Sequence, residues 1–138
     1  MSRLVLDCSV TMGWCFEDEA NEYTESVLAG LSDGGAAVPS IWLLEVANVL
    51  AIAERKGRTN SAKVARFLEI LSGLPIVVDE QTSIRAFSQI LSLARTQQLT
   101  SYDAAYLDLA MREGLPLATQ DSVLQKAATK AGVRIFGN

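Results

Sequence analysis

The chain contains no histidine. That absence removes serine triads, histidine-paired acid–base catalysis and the common zinc sites, so any hydrolytic chemistry must rest on carboxylates, hydroxyls or a bound cation. There are only two cysteines, Cys8 and Cys15, seven positions apart. They make neither a C-x-x-C pair nor a disulfide framework and read as buried, reduced thiols. Long apolar runs are missing as well. Leu4-Val5-Leu6 is far too short for a signal-peptide core or a membrane span, and the longest later run, Val46 to Ala53, covers only one side of a helix. The cytoplasm is therefore the expected compartment, with no membrane partner. Linkers, low-complexity stretches and internal repeats are also lacking, and 138 residues suffice for one ordinary core, so residues 1–138 read as a single domain.

A basic excess is lacking too. The 16 acids outnumber the 12 lysines and arginines by four, which sits badly with a nucleic-acid substrate, because phosphate binding draws its affinity from basic residues. The objection weakens if four of the acids belong to one metal site. The remainder of the chain is then formally neutral, and a bound divalent cation cancels much of the site's own charge.

What is present alternates. Short apolar or β-branched runs occur at Leu4 to Leu6, Ala36 to Val38, Ile76 to Val78, Leu115 to Ala118 and Val133 to Phe136. Between them, helical periodicity covers 10–16, 20–31, 41–56, 60–72, 80–97, 101–113 and 121–131. Pro39 with Ser40 opens the third helix, Gly57 closes it, Asn60 or Ser61 caps the fourth, and Gly114 and Gly132 end the last two. This order predicts an α/β fold in three layers, a small, mainly parallel sheet flanked by helices.

Four acids stand at the ends of these elements. Asp7 follows the first strand directly, at the carboxyl end where parallel sheets place their ligand crevice, although a turn or helix cap suits it equally. Glu45 lies about 90° from the apolar stripe of Val46, Val49, Leu50 and Ala53, at about 100° per residue, so it can border the core or simply flank the helix. Asp103 projects with Leu107, Ala110 and Met111 on the inward face of its helix, where an unpaired carboxylate is costly. A first-turn acid complementing the helix dipole is the competing account. Asp108 provides an internal contrast, since its helical angle points it outward to solvent. Asp121 comes just after the fourth strand and also suits an N-cap. Ser9 and Thr119 are hydroxyls near the same crevice, able to hold a carboxylate or to form turns.

A parallel fold brings these four acids to one edge. Two unit charges 4 Å apart repel by about 4 kcal/mol at an effective dielectric of 20, so the group requires a cation or a proton. Oxygen-only ligands select hard cations, magnesium first and manganese as a substitute. Asp7 and Asp103 are expected as direct ligands, with Glu45 and Asp121 holding metal waters or a second ion.

The segments Leu6-Asp7-Cys8-Ser9, Glu45-Val46-Ala47-Asn48-Val49-Leu50, Tyr102-Asp103-Ala104-Ala105-Tyr106 and Thr119-Gln120-Asp121-Ser122-Val123-Leu124 resemble, in order and spacing, the signature of PIN domains. Within that family the chain is most similar to VapC-type toxins of toxin–antitoxin pairs. The resemblance covers nearly the whole chain and implies a magnesium-dependent endoribonuclease, a homodimer and a cognate antitoxin protein that occupies or distorts the acidic groove. Metal-activated water is the nucleophile consistent with these residues, with Glu45 or Asp121 as base. Arg55, Lys56 and Arg58, followed by Lys63 and Arg66, form a basic stretch that either tracks an RNA backbone or is a solvated helix end. Trp14 and Trp42 suit core or dimer packing better than base stacking. Three other readings remain. One is a PIN nuclease outside any toxin system, acting in RNA maturation or on DNA. Another is an interaction module whose metal is structural. The third is a receiver-like or phosphatase-like magnesium-binding domain, which the missing second aspartate of a D-x-D motif disfavours.

Overall fold

The computed structural model of the protein describes residues 2–137. Its strands are β1 (Leu4–Leu6), β2 (Ala36–Pro39), β3 (Ile76–Asp79) and β4 (Leu117–Ala118), all parallel, in the spatial order β3-β2-β1-β4. The helices are α1 (Cys8–Cys15), α2 (Glu22–Gly30), α3 (Ile41–Arg55), α4 (Ser61–Ser72), α5 (Thr82–Arg85), α6 (Leu91–Gln97), α7 (Ser101–Glu113) and α8 (Ser122–Lys130). Leu4, Val5 and Leu6 are all 0 % exposed, so both faces of β1 are covered and the sheet is the middle of three layers. Because every strand runs the same way, Asp7, Ser40, Asp79 and Thr119 all lie at the carboxyl edge.

The helix boundaries follow local chemistry. Asn21 and Thr24 form a reciprocal capping box that starts α2, and Asn60 accepts the Lys63 N–H at the start of α4. The strand expected at 133–136 is reduced to a single bridge between Leu117 and Ile135, because β4 has only two residues with which to pair. The helix expected over 80–97 is interrupted by a π-helical segment at Ala86–Ile90. This wider turn lets Arg85 face α7 while Ile90 still enters the core.

That packing overturns the outward reading of Asp108, which is 4 % exposed. Helix α7 is buried along Ala104–Ala110, covered by β1 and β2 and by the π segment and α6, so it has no solvent face at mid-length. The Arg85 guanidinium grips Asp108 with two hydrogen bonds of 2.7 and 2.8 Å, and Arg112 grips Asp79 at the end of β3. Met111, expected inside, is 45 % exposed, because the buried stretch of α7 ends at Ala110, the residue before it. Asp108→Ala removes the buried acceptor of the two Arg85 hydrogen bonds and is expected to cost about 2 kcal/mol in urea unfolding. A midpoint equal to the wild type's would show that the pair contributes nothing.

One turn is fixed by a glycine. Gly35 has φ +75°, and a Cβ there would stand 2.3 Å from the Pro75 carbonyl oxygen, which itself accepts the Ala36 N–H at 2.9 Å.

Candidate metal centre

Asp7 leaves β1 in extended geometry and occupies the N-cap position of α1, yet its side chain makes no capping bond. It accepts instead the Thr119 hydroxyl at 2.6 Å and the Ser9 hydroxyl at 2.7 Å, both on Oδ2. Each hydroxyl also accepts a backbone N–H, Thr119 from Asp121 and Ser9 from Gln120, both at 3.1 Å. With those lone pairs engaged, the hydroxyl protons are directed at Asp7, and Oδ1 remains outside that pair of bonds. Burial raises the Asp7 pKa, the two hydroxyls oppose the rise, and the neighbouring Asp121 adds to it.

Glu45 is half-buried on α3. Its Oε1 accepts the Tyr106 hydroxyl at 2.5 Å. Burial raises its pKa first, the Tyr106 bond lowers it, and Asp7 raises it again. Asp103 sits in the first turn of α7, where its N–H donates to the Thr100 cap. Burial, followed by the charges of Asp121, Asp7 and Glu45, pushes the Asp103 carboxyl up to about 6. Asp121 caps α8 through Oδ1, which accepts the Val123 and Leu124 N–H groups at 2.9 and 3.3 Å. The capping role foreseen for Asp121 is therefore real, and its charge still acts on Asp7 and Asp103.

The structure thus puts Asp103 within electrostatic reach of Asp121, Asp7 and Glu45, and Asp7 within reach of the Ser9 and Thr119 hydroxyls. Among the described residues none of the four forms a salt bridge. Nor do three of them close into a preformed cage. An all-oxygen donor set without a salt-bridge partner among the described residues fits a hard divalent cation.

The basic stretch divides. Arg58 is committed to Asp18 and Glu19 at 2.8 and 2.6 Å and lies 3.8 Å over the Phe16 ring, so its charge is already matched. Arg55 and Lys56 are exposed and make no salt bridge among the described residues. Both tryptophans are anchored internally, Trp14 to the Thr24 carbonyl and Trp42 to the Thr11 hydroxyl. Both cysteines are free thiols; Cys8 is buried, and burial with the charges of Glu45 and Asp7 pushes it up to about 12. Tyr106 is the neighbour of the site to which residue types assigned no role. Its spacing of three from Asp103, which puts both on one side of α7, was the available signal.

The PIN-domain family model matches residues 4–130 of the chain. A protein named Exonuclease VapC9, from Pyrobaculum aerophilum, is 32 % identical over 100 residues, covering 72 % of this chain and 71 % of that relative. Among solved structures, PAE2754 from Pyrobaculum aerophilum superposes with a TM-score of 0.68 at 24 % identity, over 91 % of this chain and 79 % of the other. FitAcB from Neisseria gonorrhoeae gives 0.65 at 23 % identity, over 97 % and 96 %. These two establish likeness of fold, and the family match over nearly all of the chain establishes kinship: this protein belongs to the PIN-domain family.

Proposed function

We propose that this PIN domain is a magnesium-dependent endoribonuclease acting in the cytoplasm as the toxin of a toxin–antitoxin pair, with manganese able to replace magnesium. The observation that carries the reading is the gathering of Asp7, Glu45 and Asp121 around Asp103, from four separate elements, with no salt bridge to any of them among the described residues. The VapC name of a relative that shares 32 % identity supports both the nuclease and the toxin parts. A receiver-like or phosphatase-like domain has no support from a PIN match over 4–130.

In this reading Asp7 and Asp103 hold the cation directly, and Glu45 and Asp121 act through water. A bound divalent cation supplies charge stabilisation for the phosphate and acidifies water at the site. The chain's own groups do the rest. Ser9 and Thr119 keep Asp7 in one rotamer, so its Oδ1 is presented without reorganisation. Glu45, held at Oε1 by Tyr106, has Oε2 available to take a proton from the attacking water. The exposed Arg55 and Lys56, with Lys63 and Arg66 on the following helix, provide cations for the RNA backbone.

That relative is named an exonuclease, whereas cutting within a chain is proposed here, so a closed substrate decides. Circular single-stranded RNA incubated with magnesium is expected to be linearised and then fragmented, and to stay intact with a chelator. A circle that survives while linear RNA of the same sequence is degraded would establish exonuclease action and overturn the endonuclease assignment.

A homodimer and an antitoxin belong to the same proposal. Phe87 projects from the π segment beside Tyr102 and is 94 % exposed, and Ile84 on α5 is exposed as well. With Ile41 and Ile90, Phe87 and Tyr102 line an apolar groove that a second copy would cover. Light scattering is expected to give twice the chain mass for the wild type and a single chain mass for Phe87→Glu. Equal masses would remove this face from the interface.

A further inference from the structure

We propose that Tyr106 is a positioning residue for Glu45: its buried hydroxyl fixes one carboxylate oxygen, so that the other stays turned toward the acidic site. The inference rests on the assignment of Glu45 to the cation site made above.

The geometry is specific. The hydroxyl donates to Oε1 at 2.5 Å across 61 residues of sequence, from α7 to α3. Tyr106 is 0 % exposed and is the largest fully buried side chain, so surrounding atoms hold its ring in place. Glu45 is only partly covered and has three rotatable bonds. Left alone on the flank of a helix, beside Asp7 and Asp103, its carboxylate is repelled and has solvent to turn into. A short bond from an immobile donor removes that escape. The donor role is also one-way, because an ionised carboxylate only accepts and the phenol supplies the single proton between them.

Tyr106 also lies three residues after Asp103 on the same helix. One helix therefore carries both a proposed ligand and the orienting group of a second acid on another helix, and it fixes their relative placement. The plainer account is that a buried tyrosine must find some acceptor and that Glu45 happens to be nearest. The two accounts differ in what removal of the hydroxyl does to cation binding.

Manganese binding by the full chain, followed by calorimetry and by the loss of the free-ion paramagnetic signal, separates them. Glu45→Gln is expected to weaken binding about tenfold, Tyr106→Phe by a similar factor, and the double variant no more than Glu45→Gln alone. Thermal unfolding in chelator monitors the fold of each protein. If Glu45→Gln weakens binding and Tyr106→Phe does not, positioning is overturned and the site assignment stands. If neither variant changes binding, Glu45 is not part of the cation site and both readings fall. Fully additive losses in the double variant would show Tyr106 acting through packing, which also overturns the proposal. Should Tyr106→Phe fail to fold, Glu45→Asp keeps the charge and withdraws the carboxylate from the hydroxyl. Affinity equal to that of Glu45→Gln then supports positioning, and wild-type affinity overturns it.

Discussion

Asp103→Asn is expected to lower magnesium-dependent RNA cleavage by about a thousandfold and, in the same protein, to raise the melting temperature measured with a chelator at pH 8. The first effect follows from removing a proposed direct ligand, where a loss of about 4 kcal/mol of transition-state stabilisation corresponds to that factor. The second follows from the charge set. The Asp103 carboxyl is pushed up to about 6 from an ordinary 3.8 by burial and by Asp121, Asp7 and Glu45. A carboxyl that holds its proton more tightly when folded contributes stability below about pH 4, and loses it as the pH rises through about 6. Above that range the ionised group works against the fold by about 2 kcal/mol after allowance for solvent screening. Asparagine keeps the shape without the charge, so its advantage is several degrees at pH 8 and vanishes at pH 4. Magnesium reverses the comparison, because it stabilises only the protein that binds it. Differential scanning calorimetry across pH, with and without magnesium, reads both signs. An Asp103→Asn protein that cuts at the wild-type rate, or that melts below the wild type in chelator at pH 8, would falsify the site.

Gly35→Ala is expected to destabilise the protein by about 3 kcal/mol or more, in part through the left-handed backbone, which costs a residue with a side chain about 1 to 2 kcal/mol. The remainder comes from collision. The new methyl would lie 2.3 Å from the Pro75 carbonyl oxygen, and that oxygen cannot swing aside without breaking its bond to the Ala36 N–H. Both ends of the clash are main chain at the entrance to β2 and β3, so relief requires the two strands to separate where their pairing begins. Against a typical total of about 5 to 15 kcal/mol, a melting temperature lower by roughly 10 °C is expected, or failure to fold. A change of less than about 2 °C would mean that the turn relaxes freely.

The parallel sheet was legible because its strands are short apolar runs separated by helix-length segments, and β1 to β4 stand where those runs stand. The acids were legible for a related reason. Residues that directly follow parallel strands must share an edge, so Asp7 and Asp121 could be placed together without knowing any contact. Asp108 was misread because a helical angle tells which residues share a face and not how many faces the fold covers. Only the packing of the π segment against α7 makes its outward side an interior. The π segment itself leaves no composition signal in Ala86-Phe87-Ser88-Gln89-Ile90. The pairing of Arg58 was out of reach for a similar reason: Asp18 and Glu19, which match its charge, lie 40 and 39 positions away in sequence. The orientation of Glu45 by Tyr106 was out of reach of periodicity for the same reason, since it is a contact across 61 residues.

The hydrogen bond from Thr119 to Asp7 spans 112 residues, and the strand that delivers it is two residues long. During synthesis the early helices and the pairing of β1, β2 and β3 can form as the chain emerges, but Asp7 then has neither Thr119 to orient it nor Asp121 beside it. The last carboxylate arrives only when residue 121 has been made and β4 has found β1. If the centre cuts RNA as proposed, assembly in this order leaves it incomplete on the ribosome while most of its own message is being read, so its timing is set by topology.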